Sequence, residues 1–201
     1  MLVNIGNVFH IRRPTEEAIH EQIVSAAGKP AASPWFLSLE DSLEPDRLGS
    51  FSHDRSESCL GYGEVVFEAA KRAFIEWQMF DLGWVRVVNV SAPIVCGQIV
   101  AVEARTLGLW TVSLSKILET VDSETQFGFL YSTTTQHAEQ GEETFILRFD
   151  PATGGVTYAL EAVSRPRHFL AKLGYPVTRF FQHRFARDSH RRMRQADTLK
   201  L

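Results

Sequence analysis

The chain has 201 residues, of which 44% are hydrophobic and 22% charged, so it can form one globular domain with a sizeable core. Its two cysteines form no CxxC pair, and no apolar run approaches the ~18 residues of a membrane span. Composition therefore argues against a disulfide framework, a zinc knuckle and a transmembrane helix. The net charge of −3 and the absence of a signal-peptide pattern favour a cytoplasmic protein that does not bind nucleic acid.

The first 50 residues predict one helix followed by an irregular extension. Pro14-Thr15-Glu16-Glu17 places a proline and two acids where a first helical turn favours them, and apolar residues follow at helical spacing as far as Gly28. Residues 28–50 are rich in Pro, Ser and Gly and predict a surface connection. We therefore divide the chain into an N-terminal helix and irregular extension, residues 1–50, and a main domain, residues 51–201.

The main domain is predicted to begin with a strand and a helix. Ser56–Leu60 predicts a short strand that ends at Gly61-Tyr62-Gly63. Glu64–Phe80 then carries one apolar stripe at helical spacing, with charged residues mostly opposite, and predicts an amphipathic helix.

From residue 84 the hydrophobic period changes to two, which is typical of strands with one buried face. Turn residues such as Pro151-Ala152-Thr153-Gly154-Gly155 separate the segments and favour hairpins. Short links between successive strands favour an antiparallel meander. The predicted strands are Trp84–Val90, Gly97–Arg105, Leu109–Glu119, Gln126–Thr133, Glu143–Phe149 and Val156–Val163.

The last predicted element is a long basic helix from Pro176 to about Gln195, preceded by a short helix over His168–Leu173. Residues 161–201 contain ten Lys and Arg against three acids, a charge of +7 that leaves −10 for the rest of the chain. The helix either docks on an acidic body or offers a basic surface to phosphates, nucleic acid or anionic lipid. The first interpretation is favoured because nucleic-acid-binding domains are usually basic overall.

This order of elements predicts an α+β protein with a helix-grip-like fold. In that arrangement a curved antiparallel sheet, here of about seven strands, packs on a long C-terminal helix and encloses a cavity. The N-terminal helix is an extension to this core. A fold of this kind does not fix a function.

Several short motifs stand out along the chain: Gly61-Tyr62-Gly63, Trp77 to Val85, Phe127-Gly128-Phe129, Gly141-Glu142-Glu143 and Ser164-Arg165-Pro166-Arg167-His168. They resemble those of a bacterial and plant family known only as the domain of unknown function number nineteen-ninety. The resemblance runs from about Arg13 to Met193 and implies no chemistry, because the family has no established activity. In the family, the position of Tyr131 is usually followed by Gly-Thr-Leu-Pro-Gly-His, whereas this chain has Ser132-Thr133-Thr134-Thr135-Gln136-His137.

One candidate site lies between Tyr131 and Glu143. Tyr131, His137, Glu142 and Glu143 supply a phenol, an imidazole and carboxylates, which can carry out acid–base chemistry or bind a polar ligand. The spacing matches no metal-binding motif, and we assign no metal ligand and no cofactor. A polar hairpin loop with Glu143 facing an arginine explains the same residues.

Two further groups of residues suggest a ligand site. Arg165, beside helix starts, could hold an anion or pair with Glu142 or Glu143. Aromatic residues of the sheet and last helix could line a cavity or form a filled core. The complete set of candidate ligand-binding residues is Trp84, Trp110, Phe129, Tyr131, His137, Glu142, Glu143, Arg165 and Phe181.

The leading hypothesis is a binder of a small, largely apolar molecule held between the sheet and the last helix. One alternative is an enzyme that uses Tyr131, His137 and Glu142 or Glu143 as acid and base, although no residue is assigned as catalytic. Another is an interaction module that uses the basic helix. The sequence leaves the oligomeric state open.

Overall fold

Nine strands and three α-helices follow one another in the parts of the chain that the structure, a computed structural model, describes: residues 4–5, 8–31, 36–39, 43, 48–135, 137, 139–166 and 175–198. A 3-10 turn, Gln78–Phe80, follows the second helix. The elements are β1 Asn4–Ile5, β2 Phe9–His10, α1 Glu16–Ala27, β3 Ser52–Tyr62, α2 Glu64–Ile75, β4 Val85–Val87, β5 Ile99–Thr106, β6 Leu109–Asp122, β7 Gln126–Thr133, β8 Glu139–Phe149, β9 Gly155–Pro166 and α3 Tyr175–Thr198.

The predicted order of the main elements is confirmed, some details differ, and one predicted helix cannot be compared. The two-residue strands β1 and β2 were not predicted, because a period of two needs more residues than they have. The predicted helix at Glu64–Phe80 ends at Ile75 and continues as the 3-10 turn. The predicted helix over His168–Leu173 lies outside the described residues.

The main sheet has the antiparallel strand order β4–β5–β6–β7–β8–β9–β3. It is therefore a meander to which β3, an early strand, is added beside β9, the last one, with Ser52 opposite Ser164. The register shifts once in β6, between Ile117 and Glu119, and once in β3. Such bulges increase local bend and twist, which helps the sheet to curl around α2 and α3. The helix-grip-like fold is thus confirmed.

The concave face of the sheet carries an aromatic core. The rings of Phe129 and Phe145 stack with centroids 5.1 Å apart, and Phe74 of α2 meets Tyr158 edge-on at 5.5 Å. Met193, near the end of α3, is fully buried in the same cluster. Strand alternation explains this core, because Phe127, Phe129 and Tyr131 fall on one face of β7, as the sequence predicts.

The convex face is covered by the N-terminal part of the chain. Thr15 caps α1, with its hydroxyl oxygen accepting the Ala18 N–H at 3.3 Å. Ile19 of α1 is buried against Val112 and Leu114 of β6. A separate cluster packs Leu37 against β7 and β9.

Glu103 joins the start of this N-terminal cover to the sheet. Its carboxylate lies on β5 with 3% of the side chain exposed and accepts hydrogen bonds from Arg13 at 2.9 Å and from Arg86 at 2.9 Å. The two guanidinium groups hold the pKa of Glu103 below its ordinary value against the opposing effect of burial. Arg13 immediately precedes α1, so this pairing fixes where the helix begins relative to the sheet.

We expect Glu103→Ala to lower the free energy of unfolding by about 2 kcal/mol, because it leaves Arg13 and Arg86 without their shared partner while both remain partly solvated. Urea unfolding at neutral pH measures the change. Glu124→Ala, in the exposed β6–β7 turn, is the matched control and should stay within about 0.5 kcal/mol. Equal effects of the two substitutions would contradict the structural role of Glu103.

Candidate functional site

A cavity of about 480 Å³ lies between the concave face of the sheet and α3. Its size is within the roughly 300–1,000 Å³ of small-molecule sites in proteins. Strands β3 and β5 to β9 contribute to one wall, and the first three turns of α3 form the other. Its larger apolar lining residues include Phe9, Phe80, Trp84, Val102, Leu107, Leu109, Leu160, Phe181 and Phe185.

Trp84 ties this wall to α3. Its ring lies 5.7 Å from the Phe181 ring, and the guanidinium of Arg184 stacks over it at 4.6 Å. The indole Nε1–H donates to Asp188 Oδ2 at 3.1 Å. Asp188 is 6% exposed and also accepts from Arg184, Arg187 and Arg191 of its own helix. These bonds fix the orientation of the indole that faces the cavity.

Tyr131 and Glu143 form a hydrogen-bonded pair in the cavity wall. They face each other across β7 and β8, and the Tyr131 hydroxyl donates to Glu143 Oε2 at 2.8 Å. Burial, with smaller contributions from Glu139 and Asp54, raises the pKa of Glu143 to about 7. Burial and the adjacent Glu143 carboxylate raise the pKa of Tyr131 well above its ordinary value. Glu143 can therefore gain or lose a proton near neutral pH while Tyr131 stays protonated.

His137 lines the same cavity as a neutral imidazole. Its Nδ1 accepts the backbone N–H of Glu139 at 3.0 Å, so we assign its proton to Nε2. Burial lowers the pKa of His137 to about 4. At neutral pH the ring is therefore a hydrogen-bond donor without charge.

Two polar contacts connect the acidic side chains of the sheet to the first turns of α3. The Gln182 amide donates to both carboxylate oxygens of Glu139, at 2.8 and 2.9 Å. The Arg179 guanidinium is paired with Asp54 of β3 and lowers the pKa of that carboxyl group. Burial raises the pKa of Glu139. Glu139, Asp54 and Gln182 all line the cavity, so the contacts that fasten α3 also form part of the site.

A second set of contacts fastens α3 near its middle. His190 is 7% exposed, with Nε2 at 2.8 Å from Ser56 Oγ and Nδ1 at 2.9 Å from Ser58 Oγ. The hydroxyls of Tyr158 and Ser189 lie 2.8 Å apart in the core. Because these bonds join α3 to both β3 and β9, the helix is held over the sheet at two places along its length.

Five of the six arginines of α3 have carboxylate partners, either on the helix itself or on the body of the protein. Arg179 pairs with Asp54, and Arg192 pairs with Asp81 at 3.3 Å. Within the helix, Asp188 forms ion pairs with Arg184, Arg187 and Arg191. These ion pairs agree with docking of the basic helix on an acidic body. The expectation that nucleic acid is not bound stays a prediction.

The structure brings five of the nine sequence-predicted site residues to the cavity and places four elsewhere. Phe129 is fully buried in the filled core. Trp110 is on the convex face, where Arg13 and Arg105 lie over its ring at 5.3 and 5.5 Å. The residues that line the cavity are Trp84, Tyr131, His137, Glu143 and Phe181.

Glu142 and Arg165 also lie on the convex face, which corrects their expected place among the residues of the ligand site. Glu142 Oε2 accepts the backbone N–H groups of Phe36 at 2.7 Å and Leu37 at 2.9 Å, so it holds the N-terminal cover. Arg165 binds Gln140 rather than Glu142 or Glu143. Strand alternation is the reason: neighbours on a strand point to opposite faces, so Glu143 faces the cavity and Glu142 does not.

Sequence reasoning did not select Asp54, Ser56, Glu139 or Gln182 as site residues. A signal was present in β3, where Asp54, Ser56 and Ser58 alternate with exposed residues and so share one face. Polar residues on both faces hid that pattern, because nothing apolar marked the buried side.

Metal binding and membrane insertion find no support in the described residues. They include no group of three or more His, Cys, Asp or Glu that could hold a metal ion. None of their helices is both long enough and apolar enough to cross a membrane. Cys59 and Cys96 are both exposed free thiols.

Comparison with known proteins identifies the family. The family model described as "Domain of unknown function (DUF1990)" matches residues 42–192. The chain belongs to this family. A UPF0548 protein of Dictyostelium discoideum is similar to this DUF1990 chain, with 30% identity over 94% of the chain and 95% of that protein. A UPF0548 protein of Arabidopsis thaliana is 26% identical over 88% of the chain and 91% of that protein.

Solved structures with little sequence similarity share the fold of this DUF1990 chain. A hypothetical protein from Helicobacter pylori has a TM-score of 0.52 and 6% identity, covering 84% of this chain and 98% of that one. The di-domain ARO/CYC protein StfQ of the steffimycin biosynthetic pathway has a TM-score of 0.52 and 10% identity, covering 74% of this chain and 51% of that one. At these identities the likeness concerns the fold alone.

Proposed function

We propose that this DUF1990 protein binds a small, largely apolar molecule in the cavity between the sheet and α3. The observation that carries the proposal is a cavity of about 480 Å³ whose walls are mainly aromatic and aliphatic and whose polar groups converge around the Tyr131–Glu143 pair. Apolar walls with a few oriented polar groups are typical of small-molecule sites, where the walls supply affinity and the polar groups set the ligand's orientation.

The contacts of α3 support this proposal. The helix is fastened by the Arg179–Asp54 and Gln182–Glu139 contacts near its start and by His190 near its middle. The helix is therefore held both within the stretch that lines the cavity and beyond it, so the cavity walls are largely pre-formed. Pre-formed walls reduce the ordering cost of binding.

We propose that this function is carried out in the cytoplasm, and the exposed free thiols of Cys59 and Cys96 support that proposal.

We expect Ala162→Leu to weaken ligand binding at least tenfold without unfolding the protein. Ala162 lies on β9 opposite both Glu143 and Asp54 and lines the cavity, so three added carbons occupy ligand space instead of creating overlap in a filled core. Native mass spectrometry of the purified protein shows any co-purified molecule, and titration with an apolar fluorescent dye measures the remaining affinity.

Ala152→Leu is the matched control, because it adds the same atoms at the exposed β8–β9 turn. Native protein and control should bind the dye alike, while the Ala162 variant should not. Absence of any bound molecule and of saturable dye binding in the native protein would overturn the proposed function.

A specific observation favours a second candidate function, acid–base catalysis on the bound molecule. Glu143 has a pKa of about 7 and is held at 2.8 Å by the Tyr131 hydroxyl, which suits a group that exchanges a proton with a ligand. To test for this catalysis, the protein is incubated in D₂O with the co-purified molecule, and the mass of that molecule is then measured. Deuterium uptake that Glu143→Gln abolishes supports catalysis; an unchanged ligand leaves binding as the function.

A further inference from the structure

We infer that the molecule bound in this cavity is an amphiphile with a cationic amine head, seated against Glu143 and Glu139, and an apolar tail along Trp84 and Phe181. The inference rests on the proposed function and adds the chemical class of the ligand. It excludes the fatty-acid-like ligands that an apolar cavity alone would equally admit.

The charges that line the cavity carry this inference. The described lining contains three carboxyl groups, those of Asp54, Glu139 and Glu143, and no lysine or arginine. Among the described residues, the Arg179 guanidinium approaches these groups; it is paired with Asp54 and opposes the rise in the pKa of Glu139 that burial causes. The carboxylate oxygens of Glu139 accept hydrogen bonds from the neutral Gln182 amide. A carboxylate ligand would therefore find no lysine or arginine in the described lining to pair with, whereas an ammonium group would find carboxyl groups that it stabilises in their ionised form.

The geometry around Glu143 fits an ammonium donor. Tyr131 donates to Oε2, so the second carboxylate oxygen is available to accept an N–H from a ligand in the cavity. His137 also lines the cavity, but its Nε2–H is a donor and cannot satisfy a cation, which leaves the carboxylates as the acceptors. Trp84 and Phe181 supply the apolar surface for the tail.

Release of the Glu143 proton on binding distinguishes a ligand with an amine head group from ligands with other head groups. The titratable groups that act on Glu143 are Tyr131 from β7, Glu139 from β8, Asp54 from β3 and Tyr158 from β9. His137 and His183 line the same cavity, and Arg179 of α3 acts on Asp54, with which it is paired. Just below neutral pH the empty cavity holds a proton on Glu143. An ammonium group favours the carboxylate, so its binding should expel that proton and tighten as pH rises. A ligand with a carbonyl acceptor would need the proton and bind more tightly at lower pH.

The experiment compares decylamine, decanol and decanoate, which share an apolar chain and differ in the head. Calorimetry at pH 6.5 in two buffers of different ionisation enthalpy gives both affinity and proton release. We expect decylamine to bind at least about tenfold more tightly than decanoate, with decanol between them and with proton release for decylamine only. Glu143→Gln should reduce the preference for decylamine and the proton release while keeping decanol binding, because Glu139 and Asp54 remain in the lining.

Glu57→Gln is the matched control, since Glu57 is exposed on β3 and should leave all three affinities unchanged. If decanoate binds as tightly as decylamine, or decylamine binds without proton release, the amine inference is overturned and the proposed binding function stands. If none of the three probes binds, the proposed function itself fails. The native-protein titrations decide both questions even if the Glu143 variant does not fold.

Discussion

As pH rises from about 4.5 to about 7, the free energy of unfolding of the Glu143→Gln variant is expected to rise by roughly 3 kcal/mol relative to that of the native chain. In this range an unfolded glutamate has released its proton, whereas folded Glu143, with its pKa raised to about 7, retains it. Glu143 therefore makes the native protein less stable as pH rises. Glutamine has the same shape and does not titrate, so the variant lacks this loss.

His137→Gln should show the opposite trend. The pKa of His137 is lowered to about 4 in the folded protein from 6.5 in the unfolded chain. The native chain therefore loses stability as pH falls from about 6.5 to about 4, since only the unfolded state binds the proton, and the loss is again roughly 3 kcal/mol. The variant has no such loss.

Between about pH 4.5 and 6.5, Glu143 lowers the stability of the protein as pH rises, whereas His137 lowers it as pH falls. Replacing one of the two groups therefore exposes the pH dependence of stability that the remaining group contributes. Urea unfolding at half-unit pH steps measures the difference between each variant and the native chain. Glu57→Gln, at an exposed position of β3, is the matched control for the substitution itself. Parallel stability curves for all four proteins would show that neither group titrates abnormally.

Gly128→Ala is expected to destabilise the protein by about 3 kcal/mol or more. A Cβ atom at this position would lie 2.3 Å from the carbonyl oxygen of Phe145 and 2.9 Å from Cα of Ile146. Both atoms belong to the backbone of β8, which is held by β7 and β9 and cannot move aside without breaking ladder hydrogen bonds. Thermal or urea unfolding measures the loss.

Gly28→Ala is the control for Gly128→Ala. Gly28 ends α1 with φ −82°, and a Cβ there would meet nothing within 4 Å. The change should stay within about 0.5 kcal/mol, because alanine adopts this conformation without strain. A Gly128 variant as stable as the Gly28 variant would mean that β7 and β8 are not packed as closely as described.

The parts of the fold predicted from sequence are those with long, regular patterns. Strand β7 was predicted with its observed ends, since Phe127, Phe129 and Tyr131 alternate with smaller residues between clear turn signals. The last helix was predicted from Pro176 and its aromatic stripe, and it extends to Thr198. In both elements, local pattern and tertiary packing favour the same structure.

The site was predicted only in part, because sequence gives the alternation of a strand but not which face of it borders the cavity. Trp110 shares one face of β6 with Val112 and Leu114, and that face packs under α1, while Thr111 and Ser113 of the other face line the cavity. The apolar face of β6 lies on the convex side of the sheet because the N-terminal helix covers it there. Long-range packing of this kind leaves no trace in the local periodicity.

The pairing of β3 with β9 also determines when the sheet can be completed during synthesis and which fragments of the chain can fold. Ser52 and Ser164 are neighbours in the sheet but far apart in sequence, so the ladder forms only after nearly the whole domain has left the ribosome. Until then β3 and β8 each expose an unpaired edge that can join the edge of another chain. Fragments that end before β9 should therefore aggregate. A shortened chain should keep every residue from β3 to β9.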